Sequence, residues 1–294
     1  MKESDFVNLH VHTEYSLLDG ACRIKSLVEK VKELGQTAVA ITDHGNMYGV
    51  AEFWKSAIDA GIKPVIGCEV YVAPRTRFDK EFRSDLHPFH LILLCENNEG
   101  YRNLIKLVSL ASIEGFYNRP RVDIDLLKKY HKGLICLSAC LSGEIAKLLL
   151  NGQYETAKEK AIQYLDVFGD GNYFIEIQNH GIDDELRILP QLYRLSKDTG
   201  IPLVATNDCH YISKSDAEMQ NILLCIQTRN VIGQENGMSF PNDEFYVKSV
   251  NEMAELFKNH EEAIMNTAFI AERCSVDFSF DGAIKIPEFK PDII

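Results

Sequence analysis

No apolar run in the sequence reaches the roughly 20 residues needed to span a bilayer, so no membrane partner is expected. The opening Met1-Lys2-Glu3-Ser4-Asp5 leads straight into a strand-like stretch with no signal-peptide core, and a cytoplasmic location is the expectation. The eight cysteines include no close-spaced pair of the zinc-ribbon kind. Cys95, Cys136 and Cys225 lie in apolar stretches, which argues for reduced thiols and against a disulfide framework. Positive charge is short: 31 Lys and Arg stand against 43 Asp and Glu, a formal net charge of −12. That is a poor footprint for non-specific nucleic-acid binding. No nucleotide-binding or primer-gripping motif is present, and there is no hinge, low-complexity tract or internal repeat.

What remains is 294 residues, 46% apolar and 25% charged, enough for one large α/β barrel or two ordinary domains. Seven short, apolar, β-branched stretches read as strands buried on both faces: Phe6–His12, Ala38–Thr42, Val65–Val72, Phe89–Cys95, Leu134–Ser138, Tyr173–Ile177 and Leu203–Thr206. Amphipathic segments alternate with them. Ile24, Leu27, Val28, Val31 and Leu34 recur at helical spacing before Gly35, and further helices are expected near 50–60, 100–113, 154–168, 184–199 and 215–227. Seven βα repeats predict a parallel barrel. Two more helical stretches follow near 250–259 and 261–274, after which the pattern fades. One domain over 1–275 is expected, with a tail over 276–294.

In βα barrels, functional groups sit where strands run into loops at the C-terminal mouth. The first strand ends in His10-Val11-His12, two imidazoles on one face of an extended chain, with Asp19 in the loop after it. Thr42-Asp43-His44-Gly45, Gly67-Cys68-Glu69, Ser138-Ala139-Cys140 and Thr206-Asn207-Asp208-Cys209-His210 close four others. Imidazole, carboxylate and thiolate together suit Zn, Mn or Fe. His90 opens its strand instead of closing it, and His87, across Pro88, is its rival.

Each piece has a plainer reading. Asp43-His44 before glycine could be a turn with a helix cap, Glu69 a barrel-interior carboxylate paired with arginine, and Cys140 a small buried hydrophobe. Coincidence at five of seven strand exits favours a metal cluster. Three divalent ions would bring about +2 net to the site, so a phosphate could bind there although the surface at large repels it. Two basic points, Arg75–Arg83 with Phe78 and Phe82, and Arg119-Pro120-Arg121, could serve phosphate and base, or be solvated or docking loops. Asp123-x-Asp125 is read as a helix cap, and Asn179-His180-Gly181 as support or surface.

The chain resembles the polymerase-and-histidinol-phosphatase (PHP) domain family, in the form found at the N-terminus of bacterial replicative DNA polymerase alpha subunits. The matching motifs are His10-x-His12 with Tyr15-Ser16 and Leu18-Asp19-Gly20, Ile41-Thr42-Asp43-His44, and Gly67-x-Glu69. His90-Leu91, Asn98-x-Gly100-Tyr101-x-Asn103-Leu104, Ser138-Ala139-Cys140 and Ala205-Thr206-Asn207-Asp208-x-His210-Tyr211 complete the match. The resemblance implies a distorted (β/α)7 barrel, which agrees with the strand count, and up to three divalent ions. It implies that His10, His12, Glu69 and Asp208 bind one ion, that Glu69 bridges to a second at His90 and Cys140, and that Asp19, His44 and His210 bind a third. It also favours His90 over His87 and leaves Asp43 as support for neighbouring imidazoles.

For an intact site of this family the implied activity is phosphodiester hydrolysis, as a 3′–5′ proofreading exonuclease. Glu69 would sit where the nucleophile is generated, and Asp19, Asp208 or a metal-held water would serve as base. The implied partners are the primer 3′ end, the remainder of a polymerase chain and other replisome subunits. The alternatives are a metal-stabilised scaffold without catalysis and a free-standing histidinol-phosphatase-like phosphoesterase. An amidohydrolase is more distant, since Phe89–Cys95 offers no lysine to bridge metals.

Overall fold

A computed structural model describes residues 1–231 and 239–278. The chain runs α1 (Ile24–Glu33), β1 (Ala38–Ile41), α2 (Val50–Ala60), β2 (Lys63–Val72), β3 (Phe89–Cys95), α3 (Asn98–Ile113), β4 (Arg121–Val122), α4 (Ile124–Tyr130) and β5 (Leu134–Leu137). It continues α5 (Glu144–Leu150), α6 (Tyr154–Phe168), β6 (Tyr173–Ile177), α7 (Asp183–Thr199), β7 (Leu203–Ala205), α8 (Ala217–Thr228), α9 (Val250–Leu256) and α10 (Glu261–Arg273). The sheet order is β1-β2-β3-β5-β6-β7, with β4 pairing β2. This mixed α/β fold is a curled half-barrel sheet, in keeping with the distorted barrel expected.

Two expectations need correction. The sheet is not wholly parallel: β3 runs antiparallel to both β2 and β5. A reversed strand starts where its neighbours end, so His90, at the second position of β3, stands at the same mouth as Glu69 near the end of β2. The anomaly of a ligand opening a strand is removed by the strand's direction. Phe6–His12 is likewise no regular strand. It makes single bridges, Asn8 to Val39 and Val11 to Cys209, with His12 N donating to Cys209 O at 2.8 Å and Cys209 N to His10 O at 2.9 Å. The segment thus joins β1 to the chain beyond β7, between the two sheet edges. Helices α5 and the two-residue β4 were not foreseen.

The alternate-residue rule of strands divides each wall residue inward or outward. Inward-facing Val65, Ile92, Leu94, Ile135, Leu137, Phe174 and Val204 form one apolar cluster with Ile270, Ala271 and Cys274 of α10 and its end. Outward-facing residues such as Ile66, Leu93, Cys136, Ile175 and Leu203 pack under the surrounding helices. The inward positions turn polar towards one mouth, with Thr42, Glu69, His90, Glu176 and Thr206, and this gradient sets the site's location.

Residues 276–278 pack onto the body. Trp54 Nε1 donates to the Val276 carbonyl at 2.9 Å, Asp277 N donates to Asn98 Oδ1 at 3.0 Å, and Phe278 lies against Trp54 and Tyr101. The rest of the expected tail, 279–294, lies outside the described residues. Among the described residues no helix is long and apolar enough to cross a membrane. All eight cysteines are free thiols.

Candidate metal centre

The mouth brings the nine residues singled out in the sequence into one connected cluster. His10 Nε2 and His12 Nε2 lie 3.1 Å apart. Asp208 Oδ1 is 3.1 Å from each of them, and Glu69 Oε2 is 3.4 Å from His10 and 3.0 Å from His12. Glu69 also meets His44 Nδ1 at 3.0 Å, and its other oxygen contacts His90 Nδ1. Cys140 Sγ is 3.8 Å from that same His90 nitrogen. On the outer side, Asp19 reaches His44 Nε2 at 3.2 Å and His210 Nε2 at 3.7 Å. Three donor groups are each compact enough to hold one ion: His12, His44 and His210; His10, His12 and Asp208; His44, Glu69 and His90. His87 lines the cavity above and belongs to none of these groups.

Backbone strain concentrates here. Leu18, Ala139 and Asp208 have φ of 61°, 64° and 42°, a left-handed region that non-glycine residues seldom occupy. Each is a candidate ligand or directly precedes one. Gly45, at φ 62°, provides the sharp exit after His44, and a Cβ there would meet Pro120 and Tyr71 at 2.9 and 3.0 Å.

The tautomers follow from the partners behind the rings. His10 Nδ1 donates to Glu176 Oε1 at 2.7 Å, so Nε2 is the nitrogen that offers a lone pair to the cluster once the ring is neutral. Ser16 Oγ donates to Asp43 Oδ1 at 2.7 Å, so at 3.2 Å it accepts from His12 Nδ1, and His12 Nε2 is the nitrogen turned to the cluster. His210 Nδ1 donates to the Asp208 carbonyl at 2.8 Å, turning its Nε2 towards Asp19. Lone pairs of two imidazoles and two carboxylates thus converge on one small volume. His44 Nδ1, Glu69 Oε1 and Asp208 Oδ1 are buried and form no hydrogen bond, despite neighbours at contact distance. Atoms this close but misaligned for hydrogen bonding point at a common centre, which is what a cation requires. The donor set of N, O and S fits borderline divalent metals.

Charge tells the same story. Burial alone would lower the His10 and His44 pKa values. The carboxylates of Asp208 and Glu176 around His10, and Glu69 beside His44, outweigh it and hold both well above the ordinary range. Burial would raise Glu69 and Asp208, but His90 and His44 beside the first, and His10 and His210 beside the second, hold both carboxyls well below theirs. Asp19 is lowered despite its burial, by the His44 hydrogen bond and by His210. Burial, then the nearness of His12, brings His210 down to about 4, and burial pushes the Cys140 thiol well up. Without a cation, the cluster draws in protons to balance its carboxylates.

Several residues that hold the centre escape sequence reasoning. Glu176 is buried in the apolar run of β6 and accepts from His10, from Gln178 Nε2 at 3.0 Å and from Thr206 Oγ1. Its signal was available: a lone carboxylate at an inward position of an apolar strand needs partners. Asp43 does support an imidazole, but only through Ser16, while it accepts from Thr13 N and Oγ1 at 2.7 Å. His180 is buried between Glu185 and the Asn207 carbonyl, at 2.7 and 3.0 Å, and so fixes the loop that carries Asp208. The basic points are mostly spent on structure. Arg75 pairs with Asp85, Arg77 with Glu114 and Asp123, and buried Arg121 donates to the carbonyls of Gly115, Asp85, Arg77 and Asp79. Asp123 caps α4, accepting from Leu126 N at 3.0 Å.

The mixed α/β fold carries a histidine- and carboxylate-rich mouth, and residues 8–180 match the PHP domain. The chain belongs to the PHP domain family. Its similarity is to proteins named DNA polymerase III subunit alpha: 50% identity to that of Treponema pallidum over 97% of this chain, and 45% to that of Borreliella burgdorferi over 98%. The Thermus aquaticus protein is 41% identical over 97% of the chain. The match falls on the N-terminal portion of these relatives and spans about a quarter of their length, 24%, 25% and 24% respectively.

Proposed function

We propose that this chain is the phosphoesterase module of a replicative DNA polymerase and that it removes nucleotides from the 3′ end of a DNA strand. The observation that carries the reading is the convergence of ligand-type donor atoms from His10, His12, Glu69 and Asp208, joined through His44, His90 and Cys140 to an outer pair, Asp19 and His210. In our reading these nine residues hold up to three divalent ions of the Zn, Mn or Fe type. Ions at such a site supply a water of lowered pKa and neutralise charge on phosphoryl and leaving oxygens.

The chain's own residues divide the remaining work. Glu69, fully buried and touching four histidines, is the common anchor of the inner donors. Asp208 faces the His10–His12 side and is nearly sealed. Asp19 lines the open cavity with His44 and His90 and is the carboxylate nearest an entering phosphodiester, and in our reading Asp19, Asp208 or a metal-held water serves as base. Glu176 and Ser16 engage the Nδ1 atoms of His10 and His12 from behind, so that each ring turns its Nε2 inward.

The experiment is elemental analysis of the purified chain together with hydrolysis of a 3′-mismatched primer by the same preparation in Mn²⁺ or Zn²⁺. Stoichiometric metal and turnover that is lost in Asp208→Asn and His12→Ala are expected. Metal without turnover would replace this reading with that of a metal-stabilised scaffold.

A further inference from the structure

Above the centre lies a cavity of about 540 Å³, in the range that accommodates a ligand larger than a single phosphate. Asp19, His44 and His90 lie at the centre's side of it, while its other lining includes Tyr71, Arg119 and Lys147. Arg119 and Lys147 are the two Lys or Arg side chains that line this cavity, and among the described residues neither is engaged by a carboxylate, so both charges are open to a ligand in it.

Arg119 is held in place. Tyr117 N donates to the Arg119 carbonyl at 3.0 Å, Asn118 before it adopts φ 60°, and Arg121 beyond it is locked by four carbonyls. Its guanidinium stands 5.6 Å from the Tyr71 ring centroid. That ring is edge-on to His90 at 5.2 Å and stacked with His44 at 6.2 Å. Arg119 and the candidate ligands His44 and His90 thus flank one aromatic ring at the edge of a single cavity. Lys147 comes from α5, whose approach is fixed to the centre where His90 N donates to Ser142 O at 3.1 Å.

We infer that Arg119 and Lys147 form a second phosphate subsite, which binds the phosphate next to the scissile one in a single-stranded nucleic-acid chain. This rests on the phosphodiesterase reading above and specifies its substrate: a polymer with successive phosphates, in preference to a monoester carrying one. Arg119 suits it through its planar fork of donors, and Lys147 adds a point charge.

The test measures binding of a fluorescein-labelled, hydrolysis-resistant phosphorothioate pentathymidylate by anisotropy across KCl concentrations, with the Mn²⁺-loaded chain. Each phosphate contact on single strands adds about 0.7 to the slope of log affinity against log salt. Because both residues serve one phosphate, Arg119→Ala/Lys147→Ala should lower that slope by about 0.7, removing about 2.6-fold of the wild-type affinity loss between ~50 and ~200 mM KCl. Lys55→Ala, which deletes an α2 charge paired with Asp59, should leave the slope unchanged, and Arg119→Lys should restore part of it. Unchanged melting temperatures would exclude misfolding. A wild-type chain that fails to bind the probe, or a double variant with the wild-type slope, overturns the inference. Primer hydrolysis with equal slopes would strike the subsite alone, and a slope difference without hydrolysis would strike the phosphodiesterase reading alone.

Discussion

Glu176→Gln removes one charge from behind His10 and almost nothing else. The two side chains have the same shape, and Glu176 Oε2 has no hydrogen-bond partner, so an amide nitrogen placed there breaks no bond. The whole effect falls on Oε1, which accepts from His10 Nδ1 at 2.7 Å, from Gln178 Nε2 at 3.0 Å and from Thr206 Oγ1. A hydrogen bond to a charged group contributes about 1.5–3 kcal/mol and a neutral one about 0.5–1.5, so each loses about 1 kcal/mol. Partners behind a ligating imidazole typically account for 10–100-fold in metal affinity. Metal affinity should therefore fall by about 1.4–2.7 kcal/mol, measured by competition with a chelator of known affinity. A second signature separates this from general loosening. Burial opposes charge on His10, and Asp208 and Glu176 are the carboxylates that overcome it, so the variant's His10 pKa should drop in an NMR titration of the metal-free chain. Affinity within about twofold of wild type, with an unmoved His10 titration, would refute the role assigned to Glu176.

Chelation should lower the melting temperature. An ion present at about 1,000 times its Kd stabilises by roughly 4 kcal/mol, or about 8 °C at ~2 °C per kcal/mol, and an unchanged calorimetric transition would contradict a loaded centre. In the metal-free chain His10 and His44 titrate above their ordinary values, so the stability they contribute is complete below about pH 6.5 and is lost as pH rises through the raised values. Glu69 and Asp208 act in the opposite sense, stabilising above their ordinary range and losing that only in strong acid, so the urea midpoint should fall on the alkaline side. The same two imidazoles must release protons to bind metal, so metal affinity read by chelator competition should weaken as pH falls. Arg121→Ala strands four carbonyls, two of them buried, and should cost roughly 3 kcal/mol in urea denaturation, and Arg121→Lys should recover only part, because an ammonium cannot span the fork.

Much of this molecule could be read before its coordinates. The runs Val65–Val72 and Phe89–Cys95 lie within observed strands, and the spacing of Ile24, Leu27, Val28 and Val31 gave α1 its buried face. Strand direction was not legible, because pairing register and polarity are tertiary facts that periodicity does not encode. His90 therefore looked misplaced until β3 was seen to run backwards. The Phe6–His12 stretch has the composition of a strand, but bridges to two different neighbours instead of forming one ladder. Glu176 went unnoticed because a single polar letter in Tyr173–Ile177 breaks neither apolarity nor length. His180 was set aside as support or surface, and its buried clamp on the Asn207 carbonyl depends on a contact 27 residues away that no local pattern announces.

The bridges that tie residues 10 and 12 to residue 209 also fix when the centre can exist during synthesis. The first two histidines leave the ribosome with only one another as neighbours, and the last carboxylate and imidazole follow nearly 200 residues later. At ~5–20 residues per second that delay is on the order of 10–40 s. During it only one of the three donor groups, that of His44, Glu69 and His90, has all its members in the nascent chain. The two groups that contain His12 are thereby completed last, when Asp208 and His210 arrive.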